Sequence, residues 1–484
     1  MVYILLTALF LILATFFFTK LLKSNLNLGL YNSRREPTLP PVEKAWPLVG
    51  AIYMLIKDPL NLIKKNYQKH GSVFTIKVLG QNVTMLIGPE VSSHFYTAPE
   101  SELSLAVLLD KLVVSMFGQN VAYGGPAEIR RQQFQFLKKG LSPQKLRYYV
   151  GQTLEEAQDY LSKWQDCGTV DLMHELQCLI TLTCARCMFG YNVRENLSED
   201  VSSLICELGG GLSPISILWP NFPIPAHYRR DRAKAKLNDI FSNIINSRKS
   251  SLWSEEDLLQ TLIESVYTDG KYNTNEQVVG IATAILFASK HSAGMTAVWT
   301  AAYLLQSKAY FSKVLEEQKE LLHRHGSKID FDILGEMDVL HRCIKEAIRL
   351  GSTAIITARY CRKAFTVTTK EGKEYMVPKG HIVATPPTIA NRLDYVYKDP
   401  ERYDPDRYLS IEEKEMASRP FSNVSFGGGR HLCPGEAFAY INLKTIWSYL
   451  LRNFELELAS SFPEGKWNGK EKLLVRYKRR KLSI

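Results

Sequence analysis

Acidic charge is in short supply in this chain. Its 49 Asp and Glu stand against 60 Lys and Arg, a net charge of +11. That excludes an acidic, self-repelling tail protein. No internal repeat and no low-complexity tract occurs, which excludes solenoids and propellers. Nothing resembles a flexible Gly/Ser linker between domains. Eight cysteines in 484 residues are too sparse for a disulfide scaffold. The CxxC at Cys184-Ala-Arg-Cys187 has no second pair nearby to complete a metal site, and it continues an apolar helical pattern. It reads as core packing. His323 and His325 lie beside Gly326 and read as solvated turn residues.

Hydrophobic residues make up 45% of the chain, as in a globular protein. At about 150 residues per domain the length suggests two or three domains, but without a linker a single large core over 51–484 is expected. Val2 to Thr19 is an uncharged apolar run that reaches the lower limit for crossing a bilayer as a helix. Lys20, Lys23, Arg34 and Arg35 follow it, which keeps the C-terminal flank in the cytosol. Residues 1–23 therefore read as a membrane anchor, with a cleaved signal peptide as the alternative. Residues 24–50 form a basic, proline-rich hinge, with Pro37-Thr-Leu-Pro-Pro41 stiffening it. With such an anchor, the basic surplus points to a membrane face and an acidic partner, and away from nucleic acid.

The periodicity predicts a hairpin from Ser72–Gly80 and Gln81–Ile87, a helical centre from Tyr148 to Gln318, and strands within Tyr375–Thr385 and Phe454–Tyr477. The most informative stretch is Phe426-Gly-Gly-Gly-Arg-His-Leu-Cys433-Pro-Gly435. It precedes an apolar segment, Ala437–Leu451, that reads as a helix. The glycines let backbone approach a flat ligand closely. A thiolate at Cys433 would stand at a helix N-terminus, where free N–H groups favour negative charge, as a permanent ligand to haem iron requires. A buried cysteine after a glycine turn is the plainer alternative for a lone loop. The full arrangement Phe426, Gly429, His431, Cys433 and Gly435 resembles the haem-binding loop of the cytochrome P-450 superfamily.

Two more elements stand in that superfamily's order. Glu346-Ala-Ile-Arg349 places opposite charges on one helix face, by itself an ordinary surface pair. It resembles the superfamily's Glu-x-x-Arg, and Tyr403-Asp-Pro405-Asp-Arg407-Tyr408 resembles the later element that supplies a second arginine. The resemblance implies an ion network of Glu346, Arg349 and Arg407 beside the haem loop. Val278 to Leu305 is apolar nearly all round and reads as a buried helix, interrupted by Ala288-Ser-Lys-His-Ser292. This segment is similar to the superfamily's oxygen-activating helix. His291 matches the sterol 14α-demethylase variant, Ser292 stands where threonine is expected, and Ser289 where glycine is. The resemblance gives His291 and Ser292 catalytic roles in proton delivery. It also makes His431 and Arg359 partners of the haem propionates. Arg130, Arg131 and Lys138 would serve haem or a reductase surface, or form a solvated basic face.

The resemblance thus implies an α+β, mostly helical cytochrome P-450 fold with an N-terminal transmembrane anchor helix. It implies haem b, electrons from NADPH through a cytochrome P-450 reductase, a monomer on the endoplasmic reticulum membrane, and a cytosolic catalytic domain. Passages such as Ile224-Pro-Ala-His227-Tyr-Arg-Arg-Asp and Tyr477-Lys-Arg-Arg-Lys-Leu resemble plant sterol 14α-demethylases. Departures fall where substrate is expected. Gly124 replaces an aspartate, Ala127 a tyrosine, and Gly351-Ser-Thr353 a His-Pro-Pro; a loop between Trp467 and Tyr477 is shortened. The expected pocket comprises Tyr123, Gly124, Ala127, Ala288, Ser289, Ala354 and Ile355. These changes suggest oxidation of a pentacyclic triterpene such as β-amyrin, as in the family's divergent plant branch. The alternative is 14α-demethylation of obtusifoliol. A haem protein that needs no reductase is a reading of another class.

Overall fold

The computed structural model describes residues 38–43, 58–196 except 79, 199–250 except 213–215 and 217–218, 255–459 and 471–480. The expected anchor, most of the hinge and the residues of the shortened loop up to 470 lie outside these. Among the described residues helices dominate, and three sheets accompany them.

The strands are β1 (Val42–Glu43), β2 (Val73–Val78), β3 (Gln81–Leu86), β4 (Leu103–Ser104), β5 (Cys167–Asp171), β6 (Thr357–Cys361), β7 (Phe365–Thr368), β8 (Glu374–Val377), β9 (Ile382–Thr385), β10 (Phe454–Leu458) and β11 (Leu474–Arg479). They form a sheet of order β1-β2-β3-β9-β6-β4, a sheet β10-β11-β5 and the pair β7-β8. The predicted hairpin is present, with Val73 paired to Leu86. Gly80 turns it at φ +73°, a conformation that favours glycine. Val73 to Ile76 are all buried, so this end of the hairpin is covered on both faces. The Thr75 and Thr84 hydroxyls satisfy each other at 2.9 Å inside it.

The helices that build the site are α1 (Ala106–Phe117), α2 (Ala127–Gly140), α3 (Leu172–Asn196), α4 (Glu199–Gly210), α5 (Asn275–Ala288), α6 (Gly294–Gln306), α7 (Lys308–His325), α8 (Asp338–Leu350) and α9 (Glu436–Asn453). The predicted helix Val278–Leu305 is α5 and α6 joined by a π-helical turn, Ser289–Ala293. A capping box starts α5: Thr274 Oγ1 accepts from the Gln277 amide at 3.2 Å, and Gln277 Oε1 from the Thr274 amide at 2.9 Å. Ser292 Oγ donates to Ala288 O at 2.6 Å and Thr296 Oγ1 to Ser292 O at 2.9 Å. Such bonds back to the preceding turn loosen and bend helices.

The core divides at this turn. Val278, Ile281 and Leu286 of α5 pack into one apolar cluster with Phe189, Leu208 and Phe438. Ala297, Val298 and Leu304 of α6 pack into another with Leu176, Ile344 and Trp447. No residue of the π turn itself is buried. Cys184 and Cys187 are buried on α3 without disulfides, and the Cys187 thiol meets Thr153 and the Tyr149 carbonyl. They are core residues, as expected. His323 and His325 differ from expectation: they belong to the last turn of α7, where basic groups suit the helix dipole, and His325 pairs with Glu336 at 3.0 Å.

Glu346 and Arg349 are not a surface pair. Both side chains are 0% exposed. Arg349 Nε and Nη2 donate to the two Glu346 oxygens at 2.8 and 2.7 Å. Arg407 Nε donates to Glu346 Oε1 at 2.9 Å, and Tyr408 Oη to Glu346 Oε2 at 3.1 Å. Remaining guanidinium N–H groups reach the carbonyls of Asn391, Pro400 and Lys398. One carboxylate thus neutralises part of two buried cations, and backbone oxygens take up the rest. In Glu346→Gln both arginines lose their buried countercharge. A loss of about 3–5 kcal/mol is expected, read as a lower urea midpoint with an unchanged slope.

Candidate active site

The network reaches the cysteine loop through one asparagine. Asn391 O accepts from Arg349, Asn391 Oδ1 accepts from the Val424 amide at 2.9 Å, and Asn391 Nδ2 donates to Ser425 Oγ at 2.8 Å. The loop begins at the next residue, Phe426. Its carbonyl accepts from the Cys433 amide at 2.8 Å, closing the loop on itself. Gly429 has φ +54°, and a Cβ there would collide with the Tyr96 carbonyl. Only glycine fits that position.

Cys433 stands three residues before α9 and faces a cavity of about 400 Å³. Phe426, Pro434, Gly435 and Ala439 wall its cysteine side; Ala288, Ser289, Ser292 and Thr296 line it from the central helix. Val121, Phe134, Leu137, Met188 and Ile285 continue the apolar wall. Burial pushes the Cys433 thiol pKa up, and the backbone N–H groups of Gly435 and Glu436 pull it down only in part. A bound metal cation deprotonates a coordinating thiol outright.

A cluster of donors closes one edge. Tyr123 Oη lies 3.1 Å from His431 Nδ1, and the Arg130 guanidinium sits over the Tyr123 ring at 4.9 Å. Arg359, on β6, is buried, and its Nη1 has no hydrogen-bond partner; nor has Arg130 Nη1. Burial lowers the Arg359 pKa to about 10, and burial with Arg359, Arg130 and Arg430 nearby lowers that of His431 to about 4. Unpaired buried guanidinium N–H groups call for an anion. A flat apolar macrocycle with carboxylates at one edge meets both demands, so the residues present fit haem. Cys433 would hold the iron, and Arg359, Arg130, His431 and Tyr123 the propionates.

Not every expected site residue lies on the cavity. Ala288, Ser289 and Ser292 do; Tyr123, Gly124, Ala127, Ala354, Ile355 and His291 are not among its walls. Tyr123 is held in the edge cluster by His431. Gly124 is packed against Val113, Val114 and the Gly118 carbonyl, so its missing side chain opens no space. Ala127 is exposed at the start of α2. Ala354 and Ile355 follow the lining residues Gly351 to Thr353. His291 packs on Phe287 at 4.7 Å between ring centroids and meets α4 at Gly209. Burial and Lys290 lower its pKa, so the ring is neutral at pH 7. Arg131 is an exposed partner of Glu128, part of a solvated face. The sequence pattern did not single out Phe134, Leu137 or Met188, whose apolar spacing is that of any helix core.

A buried Glu-x-x-Arg network tied to a cysteine loop beneath an apolar cavity defines a haem–thiolate monooxygenase. The cytochrome P-450 family model matches residues 40–484, and the chain belongs to that family. It is 49% identical to the obtusifoliol 14-alpha demethylase of Sorghum bicolor, over 99% of this chain and 97% of that protein. It is 50% identical to the sterol 14-demethylase of Arabidopsis thaliana, over 93% of each, and 33% identical to the lanosterol 14-alpha demethylase of Bos taurus, over 91% of this chain and 88% of that one. Within the cytochromes P-450 it is a member of the sterol 14-demethylase family. A retinoic acid-bound cyanobacterial CYP120A1 shares the fold, with a TM-score of 0.78 at 22% identity, covering 92% of this chain and 100% of that one. The enzyme uses haem and takes electrons from NADPH through a reductase.

Cys433→Ser is expected to abolish the thiolate-type absorbance band of the reduced CO complex. A band unchanged by the substitution would remove Cys433 as the iron ligand. Arg359→Leu is expected to keep that band but to release haem faster to a haem acceptor such as apomyoglobin.

Proposed function

We propose that this enzyme oxidises a rigid apolar polycycle of the sterol class, as a sterol 14α-demethylase acting on an obtusifoliol-like substrate. The observation that carries this reading is the cavity that ends on Cys433: its walls are chiefly apolar, and most of its polar side chains are already bonded to the protein. Such a site binds by area removed from water, which suits a fused-ring hydrocarbon skeleton. Identities of 48–50% with plant sterol demethylases support the sterol over other polycycles. Two departures that pointed to a triterpene, Gly124 and Ala127, lie off the cavity and no longer argue for a rebuilt pocket.

A second reading, hydroxylation or epoxidation of a pentacyclic triterpene such as β-amyrin, rests on the departures that do line the cavity: Ser289, Ser292 and Gly351-Ser-Thr353. For either substrate the bound haem supplies reductive O₂ activation. The protein's part is to exclude water, to aim the skeleton at the Cys433 side, and to deliver protons along the π turn. Ser292 Oγ and the Ala288 carbonyl it bonds are the groups nearest that task, with neutral His291 one residue away. The anchor expected over residues 1–23, with its basic flank, would suit a place on the endoplasmic reticulum membrane, with the catalytic domain in the cytosol.

A reconstituted assay with reductase and NADPH, offered obtusifoliol and β-amyrin side by side, tests the reading. Demethylated obtusifoliol is the expected product; oxygenated β-amyrin with untouched obtusifoliol would replace the first reading by the second. Ser292→Ala is expected to lower product formed per NADPH by about tenfold or more, within the range of lost proton-transfer groups. Unchanged coupling would leave Ser292 a packing residue.

A further inference from the structure

Four oxidisable rings stand in file behind one wall of the cavity. Trp299 and Tyr303 lie four residues apart on α6 and so share a face. Their rings stack, with centroids 5.6 Å apart and planes 22° apart. Tyr303 stacks in turn on Tyr403, at 5.1 Å and 10°. Tyr310, in the first turn of α7, meets Tyr403 edge-on at 5.9 Å and 85°. All three contacts have the geometry of attractive aromatic pairs. Tryptophan and tyrosine are also the aromatic side chains that give up an electron most readily.

The file has an inner and an outer end. Gly351 lines the cavity, and a Cβ on it would overlap the Trp299 ring, so the indole lies directly behind that wall. Thr296, one turn earlier on α6, lines the cavity as well. At the other end Lys313, which lies 5.0 Å from the Tyr310 ring centroid, is exposed. Tyr310 Oη donates to Asp404 Oδ1 at 2.6 Å, a short bond to a carboxylate placed to take the phenol proton. Tyr403 Oη donates to Cys343 O at 3.1 Å, and the Asp404 amide donates to Glu346 Oε1 at 3.2 Å. The buried ion network therefore holds the outer rings in register with α6.

We propose that Trp299, Tyr303, Tyr403 and Tyr310 form an electron relay that drains unspent oxidising equivalents from the haem site to the protein surface. The need arises when O₂ is activated with no substrate in place. In each pass one electron moves inward along the rings, and Tyr310 becomes the phenoxyl radical as its proton shifts to Asp404. A one-electron reductant in solvent, such as ascorbate or a thiol, then reduces the radical, and the proton returns from Asp404. Two passes, with two protons from solvent, carry the activated oxygen atom to water. The relay does not depend on which polycycle the cavity binds.

The test treats the haem-loaded full chain with hydrogen peroxide, without substrate, and follows two readouts. One is the position of a nitroso spin-trap adduct, mapped by peptide mass. The other is the rate of haem bleaching with ascorbate present. The unsubstituted chain is expected to carry the adduct on Tyr310. Tyr403→Phe keeps a ring in the stack but removes its readily oxidised phenol. It is expected to clear the adduct from Tyr310 and to speed bleaching several-fold. Tyr310→Phe is expected to speed bleaching likewise. Tyr395 also donates to a carboxylate, Glu90 at 2.9 Å, but takes part in none of these ring contacts. Tyr395→Phe is expected to change neither readout. The reduced-CO band before treatment shows that each variant holds haem. No adduct on Tyr310 in the unsubstituted chain, or the same adduct after Tyr403→Phe, would overturn the route. Bleaching at an unchanged rate in both relay variants, or equally fast in Tyr395→Phe, would overturn the protective role.

Discussion

The carboxylate of Glu346, shared between Arg349 and Arg407, is the constraint on which the site depends. Three charged side chains sit within 3% exposure of complete burial. Each would be expensive alone, and together they hold backbone carbonyls from Asn391 to Arg402 in place. Through Asn391 and Ser425 the same network fixes where the cysteine loop starts. Its value lies in geometry more than in stability, since an apolar replacement would pack as well but would direct nothing.

The second organising feature is a break in the core. A helix that was regular throughout would join its two apolar clusters into one. The serines at 289 and 292 turn their hydroxyls back onto the helix, the ladder widens into a π turn, and no residue there is buried. The cavity opens at that break, opposite Cys433. Widened turns of this kind are common at functional sites because they forgo packing to leave room for a ligand. Arg130, Arg359 and a neutral His431 complete the enclosure, with Arg130 Nη1 and Arg359 Nη1 left without a hydrogen-bond partner.

Much of this was legible in the residues. The hairpin, the helical centre, the long apolar helix with its polar interruption and the cysteine loop all follow from local rules: side-chain period, glycine freedom, the order of three spaced motifs. The core role of Cys184 and Cys187 followed from their apolar surroundings. Other assignments went astray because sequence position does not say which way a side chain faces. Tyr123 sits in the right loop but turns to His431. Gly124 faces Val114, and Ala127 faces solvent. The case for a rebuilt pocket lost two of its supports in that way.

By itself, the sequence determined the fold class, the haem–thiolate chemistry and the family, because these rest on residue identity at fixed spacing. Tertiary structure alone decided that Glu346 and Arg349 are buried and that Arg359 and Arg130 meet at His431. Those contacts join segments up to some 300 residues apart, as Tyr123 and His431 are. Their burial depends on what the rest of the chain packs around them, and no local pattern encodes that.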